Sequence, residues 1–224
     1  MVANPAEQPS PWALDDESSK PLPRGRHALS RETVLASQRG RMLHAALVAT
    51  AEKGFGYVVV ADVISEAGVS RKAFYEHFSD FEDCWFQAYE TAAEVLFGEM
   101  AAAAVGSNGA GDPRAGLGAG IAALARNVAQ EPQVAHAMIV DIAGGGPRGL
   151  NAERVTLNRW AKLLLTTWDR SDASKASDQR KLAALAAVSI VTGVCRDHLV
   201  AGTTDSLPAI SDQITALMAK VLST

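Results

Sequence analysis

The chain has 224 residues, of which 48% are hydrophobic, and contains two cysteines. This length fits one or two globular domains. Cys84 and Cys195 lie far apart without a second Cys or His at metal-ligand spacing, which argues against a disulfide framework and a structural zinc site. The N-terminus lacks the order of a signal peptide, and no run of about 18 apolar residues occurs. We therefore expect a cytoplasmic protein without a membrane segment.

Charge is distributed unevenly along the chain. The net charge is -4, but residues 20–80 hold nine Lys and Arg against six acidic residues, so this part carries +3 and the remainder -7. A basic module joined to an acidic one indicates that only the first binds a polyanion.

The N-terminal segment is predicted to be disordered over residues 1–28, because it is rich in Pro, Ser and acidic residues. It ends in the basic sequence LPRGRH, which contains Arg24 and Arg26. Ser30 is the predicted N-cap of a long helix that ends at Gly54.

A helix-turn-helix is predicted from the segment that follows. The apolar residues of VVVADVISEAG keep a helical spacing, Gly68 ends this short helix, and Ser70 begins a second helix that ends near Phe78. The outer face of the second helix presents polar side chains, namely those of Arg71, Lys72, Tyr75 and His77. A second helix of this kind can lie in the major groove of DNA, where Arg and Lys reach bases or phosphates and Tyr and His donate to phosphates.

The sequences DVISEAGVSRKAFYEHFSD, LPRGRHALSRETV and AEKGFGY resemble the N-terminal signature of TetR-type transcriptional regulators, over about residues 22–90. The resemblance implies an all-α homodimer of about nine helices that leaves its DNA operator when a ligand binds. With the outer-face chemistry, it gives a candidate DNA-binding set of Ser70, Arg71, Lys72, Ala73, Tyr75 and His77. Two residues depart from the pattern: Val59 replaces a usual Thr or Ser, and Phe81 replaces a usual Lys. Since both departures remove a group that binds phosphate, binding would need other cations, and Arg24 and Arg26 ahead of the first helix are added to the set.

The rest of the chain is also predicted to be helical. A long helix begins at Ser79 with a Ser-x-x-Glu capping box, and further helices are expected at about 113–130, 132–142, 148–170, 175–201 and 207–222. We therefore predict a DNA-binding domain at 29–78 and a ligand-binding and dimerisation domain at 79–224.

Motifs for other functions are weak. GLGAG and GGGPRG follow no strand and lack the Gly-Lys-Ser/Thr of a phosphate loop, so packing is the preferred interpretation. No catalytic motif occurs. The scattered polar residues His136, Asp141, Cys195, Asp197 and His198 are interpreted as structural or as groups that orient a ligand. We predict no catalytic residue, no metal and no cofactor.

Two surfaces of the C-terminal domain are expected to bind partners. The helix near 175–201 is apolar nearly all round, so it and the helix near 207–222 are predicted to form the homodimer interface. The large apolar residues predicted to line a ligand pocket, unless they are core residues, are Tyr89, Phe97, Met100, Met138 and Trp160.

The preferred function is a ligand-responsive DNA-binding transcriptional regulator. We expect a repressor that a small apolar or amphipathic effector releases from a palindromic double-stranded operator. Two alternatives stay open at this point. One is an enzyme of the helical body with a degenerate DNA motif, and the other is a DNA-binding module without a ligand.

Overall fold

The computed structural model describes residues 31–107, 112–169 and 176–223, and their side chains from residue 36 onward except that of Asp169. Within these ranges the regular structure is entirely helical, so the predicted all-α fold is confirmed. Short 3-10 turns precede α2, α7 and α9. The nine helices are α1 Arg31–Lys53, α2 Val60–Ala67, α3 Arg71–His77, α4 Phe81–Ser107, α5 Pro113–Gln130, α6 Pro132–Ile139, α7 Gly146–Asp169, α8 Asp178–Ala201 and α9 Leu207–Leu222.

The chain divides into two compact units, Met1–Ala92 and Ala93–Thr224. The division falls inside α4, which therefore contributes to both units as one continuous helix. The domain boundary predicted at residue 79 stays a prediction.

Unit 1 has a core that is rich in aromatic side chains. Phe55 packs edge-on against Trp85 with ring centroids 4.9 Å apart, and Trp85 stacks on Tyr89 at 5.8 Å. Phe74 of α3 and Phe78, which follows α3, are fully buried, and their ring centroids are 5.5 Å apart. This core fixes α3 and the first half of α4 within the same unit.

The start of α4 corrects one detail of the sequence analysis. The N-cap is Asp80 rather than Ser79, since Asp80 Oδ1 accepts the Asp83 N–H at 2.8 Å. Asp83 Oδ2 in turn accepts the Ser79 N–H at 2.9 Å. A carboxylate one residue later competes successfully with the predicted hydroxyl cap.

Unit 2 consists of the second half of α4 and helices α5 to α9, with α5 packed on α9 and α8 packed on both α7 and α9. The GGGPRG segment, residues 144–149, forms the end of the 3-10 turn Asp141–Gly145 and the start of α7, and Gly149 is buried against this turn. A Cβ at Gly149 would overlap the carbonyl oxygen of Ile142. This glycine is therefore explained by close packing.

Candidate DNA-binding surface and ligand cavity

The turn between α2 and α3 has the tight geometry that the sequence predicted. Gly68 adopts a left-handed conformation with φ 62° and ψ 41°, which favours glycine. The Val69 N–H donates to the carbonyl of Ile64 at 3.2 Å. Ser70 then caps α3, because its Oγ accepts the Ala73 N–H at 3.1 Å. The pair α2 and α3 is thus a helix-turn-helix.

The outer face of α3 presents cations and a phenol to solvent. Arg71, Lys72 and Tyr75 are all exposed. Lys72 lies 3.9 Å from Glu76, a weak surface pairing. Arg71 has no hydrogen bond or ion pair within the described part of the chain. Both cationic groups are therefore available to a polyanion.

The other α3 candidates are placed differently. Ser70 is exposed, whereas Ala73 is buried. His77 is half-buried, and its Nε2 is enclosed without a hydrogen-bond partner among the described residues. The DNA contacts assigned to these residues stay predictions, as do those of Arg24 and Arg26, which lie outside the described residues.

The start of α2 is stabilised by the carboxylate of Asp62, although Val59 has no side-chain hydroxyl to act as an N-cap. Asp62 Oδ2 accepts the Val59 N–H at 3.0 Å, and Lys53 Nζ donates to Asp62 Oδ1 at 2.6 Å. These two hydrogen bonds, that of Lys53 first, lower the pKa of the Asp62 carboxyl. The start of α2 is therefore stabilised by Asp62 and Lys53 of this chain, while the Val59 side chain is 56% exposed.

Tyr57 is a surface residue that the sequence analysis did not select. It lies in the 3-10 turn immediately before α2 and is 82% exposed. The available sequence signal was an aromatic residue directly after Gly56. Its phenol is a further candidate donor to phosphate beside the N-terminus of α2.

Phe81 does not lie on the surface, where a Lys at this position would be expected to contact DNA. Its side chain is buried, and its ring lies 5.5 Å from that of Phe55. The residue at this family position therefore belongs to the core of unit 1.

Unit 2 contains an apolar cavity of about 60 Å³. Its walls come from α4, α5, α7, α8 and α9. The lining residues are Met100, Ala104, Gly116, Leu117, Gly120, Ile121, Leu124, Trp160, Leu163, Leu164, Thr167, Val188, Val191 and Met218. The residues of α7 follow the spacing i, i+3, i+4 and i+7, so they share one helix face.

Two of the five residues proposed for a ligand pocket, Met100 and Trp160, lie on this cavity wall. Phe97 instead lies beneath Arg159, whose guanidinium carbon is 4.0 Å from the ring centroid. Met138 is buried on α6 outside the lining, and Tyr89 belongs to the aromatic core of unit 1. Whether any of the five binds a ligand stays a prediction.

The scattered polar residues of unit 2 either have hydrogen-bond partners in the fold or are exposed to solvent. His136 Nδ1 lies 2.8 Å from Asp141 Oδ2, at the end of α6. His198 Nδ1 lies 2.9 Å from Thr203 Oγ1, beside the C-terminus of α8. Burial raises the pKa of the Cys195 thiol to about 11. Residues 31–107, 112–169 and 176–223 contain no group of three His, Cys, Asp or Glu side chains that could hold a metal ion.

The outer surfaces of α8 and α9 expose large apolar side chains. Leu182 is 67% exposed and Val200 is 68% exposed on α8, and Leu217 of α9 is exposed as well. Among the described helices, α8 is long and apolar enough to span a membrane by length and composition, a test that core helices of soluble proteins also pass.

A protein-family model matches residues 42–85, from α1 into the start of α4. The family is described as bacterial regulatory proteins of the tetR family. No curated protein matches the sequence.

Several solved structures have a similar fold. The fatty acid degradation regulator FadR from Bacillus halodurans aligns with a TM-score of 0.66 and 16% identity, covering 81% of this chain and 94% of that chain. A TetR-like regulator from Rhodococcus sp. RHA1 aligns with a TM-score of 0.62 and 19% identity, covering 87% and 98%. FadR from Bacillus subtilis, solved with stearoyl-CoA, aligns with a TM-score of 0.59 and 15% identity, covering 80% and 96%. At these identities the similarity establishes the fold alone.

Proposed function

We propose that the chain is a DNA-binding transcriptional regulator of the TetR family rather than an enzyme, on the family-model match over residues 42–85. It would act as a cytoplasmic homodimeric repressor that a small apolar or amphipathic effector releases from a palindromic operator. One observation carries this proposal. Helix α4 contributes residues to both units: its first half lies in the unit that contains the helix-turn-helix, and its second half contributes Met100 and Ala104 to the wall of the apolar cavity.

The first half of α4 is fixed within the DNA-binding unit. Arg39 of α1 donates to Gln87 Oε1 at 2.7 Å, and Gln87 Nε2 donates to Asp83 Oδ1 at 2.8 Å. The buried Trp85 and Phe86 of α4 pack against Phe55. A displacement of α4 would therefore carry the helix-turn-helix with it.

The second half of α4 is fixed within unit 2. Asn127 of α5 donates to Glu99 Oε2 at 2.8 Å, and Arg159 of α7 makes two hydrogen bonds to the Glu94 carboxylate. Met100 of this half lies on the cavity wall. Expansion of the cavity would therefore press directly on α4.

The size of the cavity supports a coupled motion. A volume of about 60 Å³ is below the roughly 300 Å³ at which typical ligand sites begin. An effector must therefore displace the walls, and its binding energy would favour a conformation with altered α4. In a dimer the two recognition helices need a fixed separation, so a small change in α4 would weaken operator binding. The stearoyl-CoA bound to FadR from Bacillus subtilis has an acyl chain whose chemistry suits such an apolar wall.

The operator can be located by footprinting palindromes near the coding region of the protein. Fluorescence anisotropy with the operator and with a random duplex then tests the recognition helix. Arg71→Ala or Lys72→Ala should change base preference by about 1 to 3 kcal/mol at a contacted position. Tyr75→Ala and His77→Ala should weaken binding to both duplexes, because phosphate contacts carry no sequence information. Unchanged base preference in both cation variants would refute this assignment.

The basic end of the N-terminal segment, with Arg24 and Arg26, is proposed to enter the minor groove next to the major groove that α3 occupies. Each neutralised phosphate contributes roughly 0.9 to the slope of log affinity against log salt, so deletion of residues 1–28, with Arg24 and Arg26, should flatten this slope by about 1 to 2. Dimerisation should not change. Equal slopes for both proteins would exclude the arm as a DNA-binding segment.

The exposed apolar face of α8 and α9 is proposed to be covered by a second copy of the chain. Leu182→Asp with Val200→Asp should convert the dimer into a monomer in sedimentation experiments. Val105→Asp is the matched control, since this exposed α4 residue lies outside both helices. A monomeric wild-type protein, or a dimer that survives the double substitution, would contradict the interface.

A further inference from the structure

The cavity in unit 2 has an almost purely apolar wall, and one of the side chains that line it, that of Trp160, carries a buried N–H group. Of the lining side chains only Trp160 and Thr167 carry a nitrogen or oxygen atom, and none is charged. Thr167 Oγ1 already donates to the carbonyl of Leu163 at 2.9 Å. The Nε1 atom of Trp160 is buried and has no hydrogen-bond partner among the described residues. An indole nitrogen can only donate a hydrogen bond.

This arrangement constrains the chemistry of a bound molecule. A carboxylate or phosphate inside the cavity would meet no cation on the wall, and a buried charge without a partner is strongly disfavoured. A hydrocarbon would leave the Trp160 N–H without an acceptor. A water molecule in the present cavity would find fewer than the usual three polar partners, because Trp160 Nε1 is out of its reach and Thr167 Oγ1 already donates to Leu163.

We propose that the effector places an uncharged carbonyl oxygen against Trp160 Nε1–H and buries an otherwise apolar body among the helices that line the cavity. This inference rests on the proposed function, because it assigns the chemical class of the effector. Any charged part of the molecule must lie outside the cavity.

The same hydrogen bond would favour the expanded state of the cavity. In the present conformation the Nε1 atom is out of reach of solvent and unpaired within the described residues, which disfavours this conformation. A carbonyl that enters with expansion pairs the donor only in the expanded state. The contact therefore adds differential affinity, which is the quantity that shifts a conformational equilibrium. Met100 and Met218, with their flexible side chains, line the region that must repack.

A matched pair of probes tests the proposal. Methyl hexyl ketone and its alkene isostere, in which a methylene group replaces the carbonyl oxygen, have nearly the same shape. Binding of each probe to the full chain is followed by calorimetry and by the four indole N–H signals of the four tryptophans in an NMR spectrum. The ratio of ketone affinity to alkene affinity should be about fivefold higher for the wild-type chain than for Trp160→Phe, the factor expected for one hydrogen bond, because the difference in hydration between the two probes cancels in this comparison. Only the ketone should shift the Trp160 indole proton to higher frequency.

Two variants separate the hydrogen bond from packing. Trp160→Phe keeps an aromatic ring and removes the donor, so the ratio of ketone affinity to alkene affinity should fall about fivefold. Trp168→Phe is the control, because Trp168 lies on the same helix but not on the cavity wall, and the ratio should not change. If Trp160→Phe fails to fold, Trp12→Phe, Trp85→Phe and Trp168→Phe assign the other three indole signals and leave that of Trp160 by difference.

The outcomes distinguish this inference from the proposed function. An affinity ratio that is the same for the wild-type chain and Trp160→Phe, an unshifted Trp160 signal, or no binding of either probe would overturn the inference. A ketone that binds as expected but leaves operator affinity unchanged would uphold the cavity chemistry and would contradict the coupling to DNA.

Discussion

Phe81 offers a quantitative test of the structure, because the family usually has Lys at this position. Its ring is buried and packs on Phe55. Burial of such a ring contributes about 1.5 to 3 kcal/mol, and an aromatic pair adds about 0.5 to 1.5 kcal/mol. A Lys side chain recovers part of this by burying its methylene groups while its amine reaches solvent. Phe81→Lys should therefore lower the free energy of unfolding by about 3 kcal/mol.

Urea denaturation followed by circular dichroism measures this loss, and operator binding at several salt concentrations measures any new phosphate contact. Since 1 kcal/mol corresponds to roughly 2 to 4 °C at this chain length, Tm should fall by about 6 to 12 °C. The salt slope should not change, because the position faces the core of unit 1. Phe81→Leu is the matched control and should lose about half as much stability. An unchanged Tm together with a slope steeper by about 0.9 would show that residue 81 faces DNA.

Three further predictions concern single side chains. Ser70→Ala removes the cap of α3 and should lower stability by about 1 kcal/mol in urea denaturation; an unchanged midpoint would argue against the cap. Glu94→Gln should destabilise by less than about 1 kcal/mol, since the pair with Arg159 is exposed. The hydrogen bonds from Arg159 lower the pKa of the Glu94 carboxyl. The contribution of this ion pair to stability is therefore present above the ordinary glutamate pKa and is lost as pH falls through the lowered pKa. A difference in unfolding free energy between wild type and Glu94→Gln that grows on acidification would contradict this pH dependence. Burial raises the thiol pKa of Cys84 to about 12 and that of Cys195 to about 11, so mass spectrometry should detect iodoacetamide modification only after denaturation.

The sequence was sufficient for the parts of the fold that depend on local signals. Gly68 and Ser70 are strong stop and start signals, and the predicted turn and α3 agree with the structure. Pro113 at the first position of a helix and Leu207 at the start of the last helix also match the predicted helix starts. The cap of α4 was misplaced by one residue, because Ser79 and Asp80 are both good N-caps and only the completed fold selects between them.

The sequence was less informative about long-range placement. Tyr89 and Trp160 both lie on long helices and are both large, yet one stacks on Trp85 in unit 1 and the other lines the cavity of unit 2. Helical periodicity identifies an inward face but not the neighbours that this face meets. The exposure of Tyr57 and the burial of Phe81 likewise depend on contacts between helices.

Selection from a pool of random duplexes tests the central claim most directly, because the operator sequence does not have to be identified beforehand. The full chain should enrich an inverted repeat whose half-sites are separated by about one or two helical turns. A variant with Arg71→Ala and Lys72→Ala should not enrich that repeat under the same conditions. Enrichment of no shared sequence by the wild-type chain, or of the same repeat by the double variant, would contradict the assignment of α3 as the recognition helix of a dimeric regulator.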